Sequence, residues 1–304
     1  MNKYLKILRN KLFYHGCELF PEFVTKSIYK QRLNKLLNLE NPATFNEKLQ
    51  WLKLNLYRDN KLVTKCADKF SARDYVIENG CQEILIPIYG SWDKTDDIDW
   101  SKLPNKFVMK CNHGAGYNII CKNKDSLDIN GTVKKLNVWM KEDYWRKAVE
   151  LVYKDIPKKI ICEKFIETSD GSLPYDYKIF CFNGRPEFVM VCTERESEKP
   201  KFYFMDKNWQ LLPYGLDYLD ADVNKLEKPC NFEKLFYYAT KLSQPFPFVR
   251  VDLYLNDGVI TFGELTFIHS AGMDKELNND QNKHIDKIIG DLIELDLNTK
   301  KINK

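Results

Sequence analysis

Arg250, Asp252, Glu264 and Thr266 are the residues of this chain whose types and spacing most directly suggest chemistry. Period-two alternation places Val249, Val251, Leu253 and Leu255 on one face of a strand and Arg250 and Asp252 on the other. Glu264 and Thr266 share a face of the following strand. Asn256-Asp257-Gly258 predicts a three-residue turn with Gly258 left-handed. That register sets Arg250 opposite Glu264, with Asp252 diagonal to it on the same face. Two carboxylates so placed can hold Mg²⁺, which takes oxygen ligands and keeps waters or phosphate oxygens in its remaining positions. An Arg beside them can stabilise charge developing on a phosphoryl group or an oxyanion. A cross-strand ion pair without chemistry uses the same residues. The reading depends on parity, because a two-residue turn would move Glu264 to the opposite face.

Three further segments could serve the same chemistry. An apolar strand ends in Lys110 and runs into Cys111-Asn112-His113-Gly114-Ala115-Gly116, where Gly114 and Gly116 would let backbone N–H groups approach phosphates. The GxxxxGK[ST] spacing is absent, and a plain hairpin would use the same glycines. Ile161 to Glu167 is an apolar strand interrupted by Glu163, Lys164 and Glu167. It could bind a base through backbone groups and a ribose through its terminal acid, or be an ordinary half-buried strand. Asp176 and Lys178 share a strand face, so Lys178 could point into the same cleft or close a salt bridge.

The elements that must position these groups alternate helices with antiparallel strands. Thr44 with Glu47 is a capping-box pattern opening a helix over 46–56. Further helices are expected over 61–77, closed by Gly80, over 132–153, stopped by Pro157, over 231–242 and over 281–295. Strands are expected at 84–89, 107–110, 117–122, 160–167 and 202–205. Hairpins are expected at 175–183 with 186–193, across Asn183-Gly184, and at 246–255 with 259–266. This pattern predicts an α+β fold. Lys and Arg total 47 against 43 acids, a net +4 that suits an anionic substrate and does not call for nucleic acid. Nine cysteines without CxxC spacing read as free thiols in a reducing cytoplasm. Residues 1–35 are basic, with Leu5, Leu8 and Leu12 at helical spacing. They read first as a helix packed on the body, and alternatively as a peripheral contact with the inner membrane surface.

Taken in order, NPATFNEKLQWLK at 41–53, ADKFSARDYV at 67–76, LPNKFVMKCNHGAG at 103–116, ICEKFIE at 161–167, PYDYKIFCFNG at 174–184 and the 248–273 hairpin resemble the ATP-grasp superfamily. The likeness is to its TupA-like branch, associated with teichuronopeptide synthesis. It implies an N-terminal helical region at 1–60, a linker helix and strand at 61–105, a small ATP-grasp subdomain at 106–168 and a large one at 169–304. The hairpin is also similar to that of D-alanine–D-alanine ligases. By that resemblance ATP would meet Lys69, Lys110, Gly114 and Gly116, with Glu163, Lys164, Phe165, Ile166 and Glu167 as the adenine and ribose hinge. Asp252, Glu264 and Thr266 would hold Mg²⁺, Thr266 standing where those ligases carry Asn. Arg250 and Lys178 would be catalytic, and His113, His269, Ser270 and Gly272 would lie near the substrate. Both histidines read first as hydrogen-bonded loop residues, and alternatively as bases for an attacking amine.

The expected reaction is ATP-dependent amide formation through an acyl phosphate, between a uronic acid and an amine or amino acid of surface-polysaccharide synthesis. An ATP-grasp kinase is one alternative. A glycosyltransferase using Asp97-Ile98-Asp99 or Asp220-Ala221-Asp222 is another.

Overall fold

The computed structural model describes residues 13–169, 171–222, 226–277 and 284–297. The apolar spacing of Leu5, Leu8 and Leu12 and the start of the helix expected over 281–295 lie outside those residues. The chain divides into two compact units. One comprises residues 1–61, 143–155 and 268–304, the other residues 62–142 and 156–267.

The first unit is helical, built on α1 (Pro21–Leu33) and α2 (Phe45–Leu54). Thr44 caps α2 with the expected box: its side chain accepts from Glu47 N, and Glu47 reaches back to Thr44 N at 3.1 Å. Most of α2 is buried, including the polar Asn46, Gln50 and Lys53. Their spacing of four and three puts them on one face, and each meets a backbone group. Asn46 donates to Asp274 O (3.1 Å) and accepts from Asp274 N (2.7 Å). Gln50 Nε2 donates to Ala271 O (2.9 Å) and Gly272 O (2.7 Å), and Lys53 Nζ to Ala148 O (2.9 Å).

The second unit contains two antiparallel sheets. The first has order β1 (Ile88–Trp92), β4 (Ile160–Lys164), β2 (Phe107–Cys111), β3 (Asn118–Cys121). The second has order β10 (Val259–Thr266), β9 (Phe248–Asn256), β5 (Tyr175–Phe182), β6 (Arg185–Thr193), β7 (Lys201–Asp206), β8 (Leu211–Leu212). Helices α3 (Lys61–Ala67), α4 (Ala72–Glu78), α5 (Ile129–Lys141) and α6 (Phe232–Ser243) complete it, with α6 packed on β5, β6 and β9. Phe180, Phe182, Phe188, Phe204 and Phe248 form an aromatic core between strands. Helix α7 (Ile285–Asp291) belongs to the first unit and packs on α2. The architecture is the expected α+β, and all nine cysteines are free.

Three local expectations are corrected. The helix expected over 61–77 breaks between α3 and α4, because Asp68 turns the chain: its carboxylate accepts from Phe70 N (2.8 Å) and Ser71 Oγ (2.7 Å). The helix expected over 132–153 ends at Lys141, and short 3₁₀ turns follow at Tyr144–Lys147 and Leu151–Tyr153. Val149 between them has φ +55°, which no helix carries. The strand expected at 84–89 begins only at Ile88, behind a 3₁₀ turn at Gln82–Ile84.

Candidate active site

The β9–β10 turn is not the expected one. Asn256 pairs with Val259, so the loop is two residues, Asp257 and Gly258, both left-handed at φ +50° and +78°. That turn shifts parity and would send Glu264 to the wrong face. A bulge between Phe262 and Glu264 restores it, leaving Glu264 opposite Asp252 and Thr266 opposite Arg250. The extra residue is Gly263, where an added Cβ would stand 3.0 Å from Asp252 O. The predicted carboxylate pair therefore shares a face, with Glu264 facing Asp252 directly where Arg250 was expected.

Arg250 grips Asp252 along its own strand, with Nε to Oδ1 and Nη2 to Oδ2 both at 2.7 Å, and Nη2 also donates to Thr266 Oγ1 at 3.1 Å. Lys178, paired across β5 with Asp252, donates to Asp252 Oδ2 (2.9 Å) and Asp176 Oδ2 (2.5 Å). Lys69 Nζ meets Glu264 Oε2 at 2.9 Å and donates to Gly114 O at 2.8 Å. Arg250, Asp252, Lys178 and Asp176 are thus joined by direct contacts, and the Lys69–Glu264 pair stands opposite them, Glu264 facing Asp252 across the strands. Burial alone would discharge Lys178, but Asp176 and then Asp252 more than offset it and raise its pKa. Burial likewise opposes the charge on Arg250, and Asp252 overrides it upward. For Glu264, burial favours the neutral acid, yet Lys69, Lys178 and Arg250 together bring the carboxyl down to about 2.

Beside this cluster lies an open pocket whose lining mixes apolar side chains with a few charged ones, the usual make-up of a small-molecule site. Its lining includes Lys110, Glu163, Lys164, Phe165 and Ile166. Lys110 and Glu163 pair at 2.6 Å, and that pairing keeps Lys110 charged against the cost of burial. Glu264 also acts on Lys110, which links pocket and cluster electrostatically. Among the lining residues missed from the sequence are Tyr254 and Arg195. Tyr254 could have been found, since it continues the Arg250–Asp252 face. Arg195 follows β6 and carries no local signal; its guanidinium lies 5.0 Å from the Tyr254 ring and donates to Pro174 O at 2.6 Å.

The other expected residues are placed as follows. Gly114 is buried beneath Lys69, and Gly116 is left-handed at φ +77°. His113 is buried, its Nε2 3.1 Å from Trp139 O and its ring 5.4 Å from that of Tyr117. Burial lowers its pKa, so the ring favours the neutral form. Glu167 pairs with Lys106 at 2.6 Å and is outside the pocket lining. His269, Ser270 and Gly272 belong to the first unit. There His269 Nε2 contacts Asp274 Oδ2 at 2.8 Å, and Ser270, Ala271 and Gly272 are all left-handed. Gln50 holds the two carbonyls of that turn, and an added Cβ on Gly272 would sit 2.6 Å from Gln50 Nε2. Asn112 was missed as well: it donates to Asp68 Oδ1 at 2.7 Å and so ties the glycine loop to the turn that presents Lys69. Of the acidic triplets, Asp99 caps the turn Trp100–Lys102, and Asp220 closes the turn Asp217–Asp220.

A family model described as TupA-like ATPgrasp matches residues 47–294. The chain belongs to that family. No protein of curated function matches it. Among solved structures, this ATP-grasp chain is similar to D-alanine–D-alanine ligase from Bacillus anthracis complexed with ATP, at 15% identity and TM-score 0.42, covering 75% of this chain and 63% of that one. It is similar to L-amino acid ligase from Bacillus licheniformis at 15% identity and TM-score 0.45, covering 84% and 57%. D-alanine–D-alanine ligase from Helicobacter pylori gives 14% and 0.41, covering 84% and 70%. The chain thus spans less than two-thirds of the length of the first two ligases named.

The residues present fit a magnesium nucleotide. Asp252 and Glu264 face one another as oxygen donors, and the buried Asp176 Oδ1 has no hydrogen-bond partner. Among the described residues no three His, Cys, Asp or Glu are gathered to hold a metal alone. A Mg²⁺ ion here would therefore need phosphate oxygens and water to complete its shell, its usual habit in nucleotide sites. Arg195→Ala is expected to weaken ATP binding about tenfold, the loss of one charge-assisted contact. Calorimetric titration checks this, and unchanged affinity would remove Arg195 from the site.

Proposed function

We propose that this ATP-grasp chain is a carboxylate–amine ligase that joins a uronic acid of a bacterial surface polysaccharide to an amine or amino acid. One observation carries the ligase reading: Lys69, Lys178 and Arg250 are interleaved with Asp176, Asp252 and Glu264 beside the pocket. The cluster is charge-balanced as it stands. When bound, Mg²⁺ would neutralise charge across the nucleotide phosphates, held by Asp252 and Glu264 with Thr266 Oγ1 close by. The three cations would then exchange their carboxylate partners for phosphate oxygens.

The pocket strand Glu163–Ile166 would seat the base, and Lys110 would meet the phosphates. The substrate carboxylate attacks the γ-phosphorus, the bond from phosphorus to the β,γ-bridging oxygen breaks, and ADP leaves. The amine nitrogen then attacks the acyl carbon, phosphate leaves, and the surplus amine proton passes to solvent. Arg250 and Lys178 stabilise the charge that builds in both steps, and positioning supplies much of the rest. His113 orders the glycine loop in this scheme, because its Nε2 is engaged with Trp139 O.

The test is nucleotide turnover in Mg²⁺ with candidate uronic acids and a pool of amines, resolving the products. ADP and phosphate released only when acid and amine are both present support the ligase. ADP with a stable phosphorylated product and no amine requirement would make the protein a kinase. The absence of ATP consumption, with a nucleotide sugar consumed instead, would overturn the reading.

A further inference from the structure

The four most exposed large apolar side chains among the described residues are Leu36, Phe23, Leu19 and Phe20, at 78, 74, 68 and 66%. All lie between residues 19 and 36, where a helical stretch at 13–19 meets α1. They belong to a basic stretch of the chain. Residues 1–35 contain eight Lys and Arg against two Glu, a net +6 where the whole chain carries +4. Glu18 pairs outside this stretch, with Arg146 and Lys154, and Glu22 forms an exposed pair with Lys26. On α1, Val24, Thr25, Tyr29 and Leu33 are buried, while Phe23, Lys26 and Lys30 share the exposed face at spacings of three and four.

We infer that this elbow docks on an anionic lipid bilayer. Exposed Phe and Leu beside a basic helical face are the composition of interfacial anchors, the apolar groups entering the acyl boundary and the cations meeting the headgroups. Of the four cations between residues 19 and 36, three are Lys: Lys26, Lys30 and Lys35, beside Arg32. Lys is a point charge suited to a diffuse anionic surface, whereas specific protein interfaces favour Arg and its planar fork and are depleted in Lys. Among the described residues no helix is long and apolar enough to cross a membrane, so the chain would lie on the bilayer through this element. The inference is independent of the reaction proposed above.

The experiment is vesicle co-sedimentation of the full chain, with phosphatidylcholine alone and with phosphatidylcholine containing phosphatidylglycerol. The double variant Leu19→Gln/Phe23→Gln is run beside the wild type. Both substitutions are at exposed positions, so an unchanged melting temperature serves as the folding control. The expected result is binding to the anionic vesicles only, weakened by salt and reduced about tenfold in the variant. No binding to anionic vesicles would overturn the inference and leave an acidic protein surface as the partner the charge fits. Binding unaffected by the double variant would overturn it as well.

Discussion

Asp252→Asn is expected to abolish most of the activity, with kcat falling roughly 10²–10³-fold, while leaving a folded but less stable protein. Asp252 accepts two hydrogen bonds from Arg250 and one from Lys178 and sits opposite Glu264. Asn keeps the shape and one acceptor but removes the charge. Three buried or half-buried cations would then face two carboxylates. Breaking a buried ion pair by removing one partner costs about 3–5 kcal/mol at the extreme, and the isosteric amide should bring the loss toward the low end. Urea unfolding and steady-state turnover measured on one preparation separate the two effects. Glu78→Gln is the control, because its exposed pair with Lys65 should be worth no more than about 1 kcal/mol. Wild-type turnover in Asp252→Asn would mean that the sheet-face cluster is structural only.

The legible part of this protein was the alternation of its strands, and the least legible was how the strands are joined. Arg250 and Asp252 could be placed together because a strand has period two whatever surrounds it. Glu264 required knowing the turn, and the sequence motif Asn-Asp-Gly fits two loop lengths. The shorter loop formed, since Asp257 and Gly258 both accept left-handed φ. The site survived because Gly263 supplied a bulge. A glycine inside a strand is a signal for a bulge, so this second parity shift was readable, though not its necessity.

Helix breaks were hidden for a different reason. Asp68 within a helical pattern looks like a solvent-facing acid, and only its bonds to Phe70 N and Ser71 Oγ show it turning the chain. Its contact with Asn112 links residues 44 positions apart in sequence, which no local window contains. The same holds for Asn46, Gln50 and Lys53. Their helical spacing was visible, but a polar stripe ordinarily means solvent. Here its partners are backbone groups of Asp274, Ala271, Gly272 and Ala148, so the stripe is buried and satisfied.

Glu264 gives the second large prediction, a specific loss of stability in acid. Its carboxyl is near 4.3 in an unfolded chain and about 2 in the fold. Between those values the unfolded chain binds more protons than the native one, so stability falls as pH falls. The contribution is fully present above about pH 4.3 and is lost on descending through about pH 2. Two pH units correspond to about 3 kcal/mol. With the Glu264 side chain 31% exposed, solvent screening brings the expected value to roughly 1–2 kcal/mol. Glu264→Gln lacks the titration and leaves Lys69 without its partner. Its deficit relative to wild type should therefore be largest at neutral pH and narrow below about pH 4.3, as the unfolded wild-type chain takes up a proton that the native carboxylate refuses. Urea unfolding of both proteins from pH 6 to pH 2.5 measures this. A deficit that stays constant across the range would mean that Lys69, Lys178 and Arg250 do not hold Glu264 ionised, and the charge-balanced cluster on which the proposed reaction rests would be lost with it.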